Sequence, residues 1–304
     1  MAAVSSAAPP RTGAPPGSGA PTGRRKRVPT VALLIAPSVV FMALLFAWPM
    51  VSGVIQAFHD DDGFTLDFVR RMASDPAFWP SVRNTLLLIV VLLPVQFGLA
   101  LVMAFLLHAK PRGSGVYFYL WAVPLAVSDL AAGLVWLSIF ADRGYLNSLL
   151  DTLGLGSVSW LSYENYGSMF LAVLIAELWR ATSLVLIIVV SGLQGIPKDY
   201  DEAANVFGAS YLQRLRHVWL PLLRPSLQVA LILRTILAFQ TFAVAQALTG
   251  QDFPVLVGET YRWYSGLQNP NVASALALVI MVVSMATAVI YLRALRDTTR
   301  EGRR

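Results

Sequence analysis

Residues 84–107 read NTLLLIVVLLPVQFGLALVMAFLL, a run of 24 residues without Asp, Glu, Lys, Arg or His. At about 1.5 Å of rise per residue, a helix of this length crosses the roughly 30 Å of hydrocarbon in a bilayer. Apolar residues fall on every face of it, as in a span rather than in the half-buried helix of a soluble domain. Two more runs, 28–58 and 263–292, share both properties. Each predicts a membrane helix.

Three further runs are as apolar but interrupted: 116–140 contains Asp129, 169–193 contains Glu177 and Arg180, and 227–248 contains Arg234. A charge at the centre of a span costs about 2.5–3.5 kcal/mol on insertion scales, while each Leu, Ile, Phe or Val returns about 0.3–0.6. One charge among so many is outweighed, so these runs also count as spans. The prediction is an all-α membrane protein with six transmembrane helices in a domain covering residues 28–293.

Composition agrees. The 304-residue chain is 56% hydrophobic and 13% charged, against roughly 25% charged in an ordinary soluble domain. It has no cysteine, which excludes disulfides and thiolate metal ligands. His59, His108 and His217 lie in separate connections without ligand spacing, so no metal site is predicted. Residues 1–27 begin with an Ala, Pro, Gly, Ser and Thr tract and end in Arg24-Arg25-Lys26-Arg27, which predicts a disordered basic tail. Residues 294–304 form a second basic tail.

With the amino terminus inside, 16 of the 23 Lys and Arg residues lie on the cytoplasmic side and five on the outer side, with Arg180 and Arg234 within spans. Positive residues stay inside. The basic balance is therefore a topology signal, predicting cytoplasmic termini in a bacterial cell membrane surrounded by lipid. Nucleic-acid binding is not implied.

The longest inner connection, residues 194–224, reads as two short helices joined by a glycine turn. Pro197 suits a first helical turn, and Asp199, Asp201 and Glu202 place negative charge at the positive end of the helix dipole. Gly208 ends this helix. Ser210 with Gln213 three residues later then gives the capping-box pattern of a second, and Pro221 and Pro225 mark its exit into the fifth span.

Through Leu193-Gln194-Gly195-Ile196-Pro197, Glu202-Ala203-Ala204, Gly208-Ala209 and Leu220-Pro221, the chain resembles the inner-membrane permeases of binding-protein-dependent ABC importers. Asn84-Thr85, Pro124, Gly144, Asn147, Gly154, Trp160-Leu161, Trp179 and Thr249-Gly250 are similar to the sugar branch, typified by maltose and glycerol-phosphate permeases. The resemblance implies a type I ABC importer permease fold with a cytoplasmic coupling-helix hairpin. Tyr200, Glu202, Ala203, Ala204, Val206, Phe207 and Gly208 would form the contact with the ATPase. Phe207 departs from the family, which usually carries Asp before this glycine; together with Tyr200 and Val206 it would fill an apolar pocket instead. The implied partners are a second homologous permease, two ATPase subunits holding ATP and Mg, and an extracellular substrate-binding protein, lipoprotein or periplasmic. No cofactor is expected on this chain.

Ionisable residues inside spans by default face a cavity or a partner. Asp129, Glu177, Arg180 and Arg234 all fall in the third, fourth and fifth spans. With Trp179, Gln240 and Gln246 they are the candidate lining of a substrate pathway, the charges and amides bonding hydroxyls and the ring stacking on a pyranose. The alternative is a self-neutralised pair, three residues apart on one helix and joined to Arg234 or Asp129, that only locks the bundle.

No G-x-x-x-x-G-K-[ST] occurs, so the chain does not cradle ATP phosphates in the P-loop manner. The resemblance implies one half of the translocation pathway for a di- or oligosaccharide, with glycerol phosphate as the alternative substrate; a proton-coupled secondary transporter using Asp129 and Glu177 is the main rival, and the absence of internal repeats and the elaborate inner hairpin speak against it. A membrane enzyme would need a catalytic constellation, and neither G-x-S-x-G nor H-E-x-x-H is present.

Overall fold

The structure is a computed structural model and describes residues 30–296; the first predicted tail and residues 297–304 of the second lie outside the described residues, while 294–296 continue α14. The described chain packs as two units, residues 30–50 and 51–296.

The first unit holds α1 (Thr30–Met42), a π-helical turn at Ala43–Ala47 and the start of α2 (Trp48–Phe58). The wide turn has a local cause. Pro49 has no N–H to donate, and immediately before it the Trp48 N–H bonds the carbonyl of Ala43, five residues back.

In the second unit a two-residue hairpin pairs β1 (His59–Asp60) with β2 (Gly63–Phe64). There follow α3 (Asp67–Ser74), α4 (Phe78–His108), α5 (Ser114–Ala126), α6 (Asp129–Phe140), α7 (Tyr145–Thr152) and α8 (Tyr166–Gln194). Then come α9 (Lys198–Val206), α10 (Tyr211–Arg214), α11 (Leu220–Phe239), α12 (Ala243–Thr249), α13 (Leu256–Tyr261) and α14 (Pro270–Arg296). Five helices are long and apolar enough to cross a membrane: 34–58, 78–108, 166–194, 211–239 and 270–293. Counted as one span, α5 with 129–152, bent by 103°, brings the number to six.

That bend corrects the straight third span. Val127 and Ser128 are extended, and the Ser128 hydroxyl accepts from the Ala131 N–H at 3.2 Å. Ser128-Asp129 is thus a helix start, an N-cap with an acidic first turn, rather than a charge within one continuous helix.

The fifth span differs likewise. The hairpin's second helix does not exit at Pro221 but continues, through a π-helical turn at Leu215–Trp219, to Phe239. The Leu220 N–H reaches back to the Leu215 carbonyl just before Pro221, the same device as at Pro49. Gln240, Thr241 and Phe242 then break the helix, and α12 turns back against α6. The contact is close: a Cβ on Gly133 would lie 2.6 Å from the Cβ of Ala247, the small-residue packing that lets membrane helices touch. Residues 263–266, expected to open the sixth span, instead lie in a π-helical turn at Arg262–Gly266 ahead of α14.

Candidate functional site

The hairpin is built as its caps dictate. Gly208 adopts φ +73°, which suits glycine at the turn between the helices. The Ser210 hydroxyl accepts from the Gln213 N–H while the Gln213 side chain accepts from the Ser210 N–H at 2.8 Å. No residue of α9 is buried. Tyr200, Glu202 and Ala203 are exposed and Ala204 partly so, while Val206 and Phe207 are 85% and 89% exposed.

Beneath this surface the hairpin is fastened to the spans. Asp201 on α9 pairs with Arg214 at 2.9 Å, and the Arg214 guanidinium lies over the rings of Tyr211 and Trp219. Tyr211 donates to the Phe105 carbonyl, and buried Trp219 stacks on Phe105 with His108 edge-on. Above it, a Cβ on Gly192 of α8 would lie 2.5 Å from Ser226 Oγ of α11. The ends of α4, α8 and α11 nearest the hairpin therefore meet beneath it.

Inside the membrane-spanning region the four charges named from the sequence form one chain. Arg234 donates from Nη2 to Glu177 Oε2 at 3.2 Å and from Nε to Gln96 Oε1 at 2.9 Å. Arg180 reaches the same Glu177 oxygen at 3.3 Å and Asp129 Oδ1 at 2.7 Å. Two cations and two carboxylates balance. The ends differ: Glu177 and Arg234 are each 1% exposed, whereas Asp129 is 52% exposed. Breaking a buried pair strands a charge and costs about 3–5 kcal/mol. An exposed pair is worth about 0–1 kcal/mol.

Gln96 was not among the sequence candidates, although it is the one polar side chain in the middle of residues 84–107. Its Nε2 is buried without a protein partner. Trp179 stands beside the chain in an aromatic row with Trp136, Phe140 and Trp160. Gln240 and Gln246 are not part of the network. Gln240 is exposed at the end of α11, and Gln246 lines a separate cavity of about 140 Å³ with Gln251, Glu259, Tyr261 and Arg262.

The face opposite the hairpin is sewn by three polar nodes. Asn84 donates to the Pro254 carbonyl and accepts from the Tyr166 hydroxyl, while Thr85 accepts from the Leu256 N–H. Asn147 bonds Asp142, Val158 and Trp160. Arg262 joins Asp75 at 2.8 Å to Glu259 at 2.6 Å. Burial pushes the Glu259 carboxyl above its ordinary value, partly offset by the Arg262 hydrogen bond. Among the described residues no group of three or more His, Cys, Asp or Glu is placed to hold a metal ion.

Membrane-length apolar helices, a broken pair beside them, an exposed hairpin clamped to their ends and a buried charge chain define a multi-pass transport permease. The family model for the inner membrane component of binding-protein-dependent transport systems matches residues 27–299, and the chain belongs to that family. It is a transporter component rather than an enzyme.

The sulfoquinovosyl glycerol transport system permease protein of Agrobacterium fabrum is 32% identical over 284 residues, 87% of this chain and 89% of that one. The trehalose/maltose transport system permease protein of Thermococcus litoralis is 30% identical over 272 residues, 86% and 92% of the two chains. Among solved structures, a bacterial ABC transporter importing the acidic polysaccharide alginate matches with a TM-score of 0.79 at 17% identity, covering 88% of this chain and 95% of that chain. That likeness shows the fold.

Proposed function

We propose that the chain forms one half of the translocation pathway of an ATP-driven importer for a carbohydrate. A second homologous permease completes the pathway, an extracellular binding protein delivers the substrate, and two ATPase subunits holding ATP and Mg dock on the hairpin face. Both termini then lie in the cytoplasm. The observation that carries this reading is the hairpin, which leaves Tyr200, Val206 and Phe207 exposed while its base is fastened where α4, α8 and α11 meet. A simple connection would have neither property. ATP hydrolysis belongs to the docked subunits, since this chain has no P-loop.

The charge chain lines the pathway at its Asp129–Arg180 end, with Trp179 as the neighbouring ring. Because both guanidinium groups are already matched by carboxylates, the site suits a neutral polyhydroxylated substrate better than a phosphate or sulfonate. Gln240 and Gln246 would contact substrate elsewhere along its route. The relatives named for trehalose/maltose and for sulfoquinovosyl glycerol support the carbohydrate class, and one named for sn-glycerol-3-phosphate supports glycerol phosphate as the second reading.

The test is reconstitution of the chain with the subunits that co-purify with it, followed by uptake of sugars that stabilise the partner binding protein. Uptake should need ATP and survive a proton uncoupler. Arg180→Ala and Gln240→Ala should change its KM while ATP hydrolysis continues. Uptake that collapses with the uncoupler and ignores ATP would contradict the reading.

A further inference from the structure

Beside the hairpin, a cavity of about 430 Å³ opens between the end of α4, the start of α5 and the end of α8. Leu107, Phe118, Val190 and Leu193 give it apolar walls, and Lys110 brings a cation to its lining, which contains no Asp or Glu. Lys110 and Arg112 are both exposed, and neither is salt-bridged among the described residues.

The connection that carries these cations is ordered, and one of them is held in strain. Lys110 has φ +48°, a left-handed conformation that is unfavourable for a residue with a Cβ and that helix ends usually assign to glycine. Its N–H bonds the Leu107 carbonyl at 3.0 Å, which stops α4, and glycine would do the same without strain. The Ser114 N–H then bonds the Pro111 carbonyl at 3.0 Å with Gly113 at φ +82° and ψ +15°, the third position of a type II turn. Arg112 stands in that turn, two residues from Lys110.

The helix leading away from the cavity is apolar. Gly115, Tyr119 and Val123 of α5 follow at four-residue spacing and share a face. A Cβ on Gly115 would meet nothing within 4 Å, and Tyr119 and Val123 are 73% and 54% exposed. A free phosphate would use the cations but neither the apolar walls nor this stripe. We propose that the cavity binds an anionic glycerophospholipid, its phosphate on Lys110 and Arg112 and an acyl chain along Gly115, Tyr119 and Val123. Basic pockets between membrane helices recognise anionic headgroups by charge while the chains keep to apolar surface. The lipid belongs to the leaflet at the hairpin end, which the proposed function makes the cytoplasmic one.

The test is lipid retention by the full chain, purified with its co-eluting subunits and delipidated in neutral detergent, measured by native mass spectrometry and thermal unfolding. Dioleoyl phosphatidylglycerol should be retained and raise the unfolding temperature, dioleoyl phosphatidylcholine should do neither, and inorganic phosphate at matched ionic strength should not displace the bound lipid. Lys110→Gly should bind phosphatidylglycerol about fivefold more weakly and Lys110→Gly/Arg112→Gln about thirtyfold. Arg216→Gln, at an exposed cation of the hairpin's second helix, should bind it as the wild type does. Gly115→Leu should exclude the lipid by filling the cavity. Without lipid, Lys110→Gly should unfold no lower than the wild type, because glycine relieves the strain at this φ. Equal retention of the two lipids, displacement by phosphate, undiminished binding in Gly115→Leu, or the same loss in Arg216→Gln as in Lys110→Gly would overturn the proposal. So would a Lys110→Gly protein already less stable without lipid, since the side chain would then serve the protein itself.

Discussion

Glu177 holds two guanidinium groups on one carboxylate oxygen, Arg180 at 3.3 Å and Arg234 at 3.2 Å. The helical spacing of Glu177 and Arg180 made their pairing legible, since residues three apart share a face. Reading it as one end of a chain reaching Arg234 and Asp129 was open only as an alternative, because no sequence pattern says which faces of three spans meet. Gln96 escaped altogether: a single amide in a charge-free run disturbs neither hydropathy nor period. The buried half of this chain predicts a strong non-additivity. Glu177→Met should lower stability by about 3–5 kcal/mol by stranding Arg234, which bonds no other carboxylate, whereas Glu177→Met/Arg234→Met should recover most of that loss. Thermal unfolding of the four proteins in one detergent gives the cycle, and additive losses would show that the pair is not coupled.

The hairpin's elements were legible because caps are local chemistry: Pro197, Gly208 and the Ser210–Gln213 box are where the sequence places them. The breaks at 127–128 and 240–242 were not, because hydropathy over a window is the same for a straight span and a bent one. Ser128-Asp129 held the clue, an N-cap with an acidic first turn that was read as one charge in a long helix. Pro221 misled in the opposite sense, as the π-helical turn before it absorbs the missing donor and lets the helix run on.

Across the opposite face, Arg262 ties the end of α3 to α13 through Asp75 and Glu259. Burial raises the Glu259 carboxyl in the folded state above its unfolded value of 4.5. Its contribution to stability is therefore complete below that value and is lost as pH rises through the folded pKa. Unfolding temperature should fall with rising pH across that window in the wild type, and Glu259→Gln should remove the step. A variant profile parallel to the wild type would exclude Glu259 as its source.

At the scale of the whole molecule, long apolar side chains such as Val90, Leu120, Val229 and Val282 stand exposed along the spans, where bilayer and partner chains are their natural surroundings. Hydropathy and the distribution of basic residues were enough to read a multi-pass membrane protein. The hairpin was enough to suggest its family. What the six-run count could not supply is the division of labour among the spans: α8 and α11 reach from hairpin to charge chain, while α6 and α12 are short and packed on each other through Gly133 and Ala247.

The account turns on what grips Phe207. Replacing Phe207 with the photo-crosslinker p-benzoylphenylalanine, and Tyr163 on the opposite face as the control, should give a nucleotide-binding subunit as the adduct of residue 207 alone. ATP should alter the yield. A nucleotide-binding subunit captured from residue 163, or none from residue 207 in a complex that still hydrolyses ATP, would contradict it.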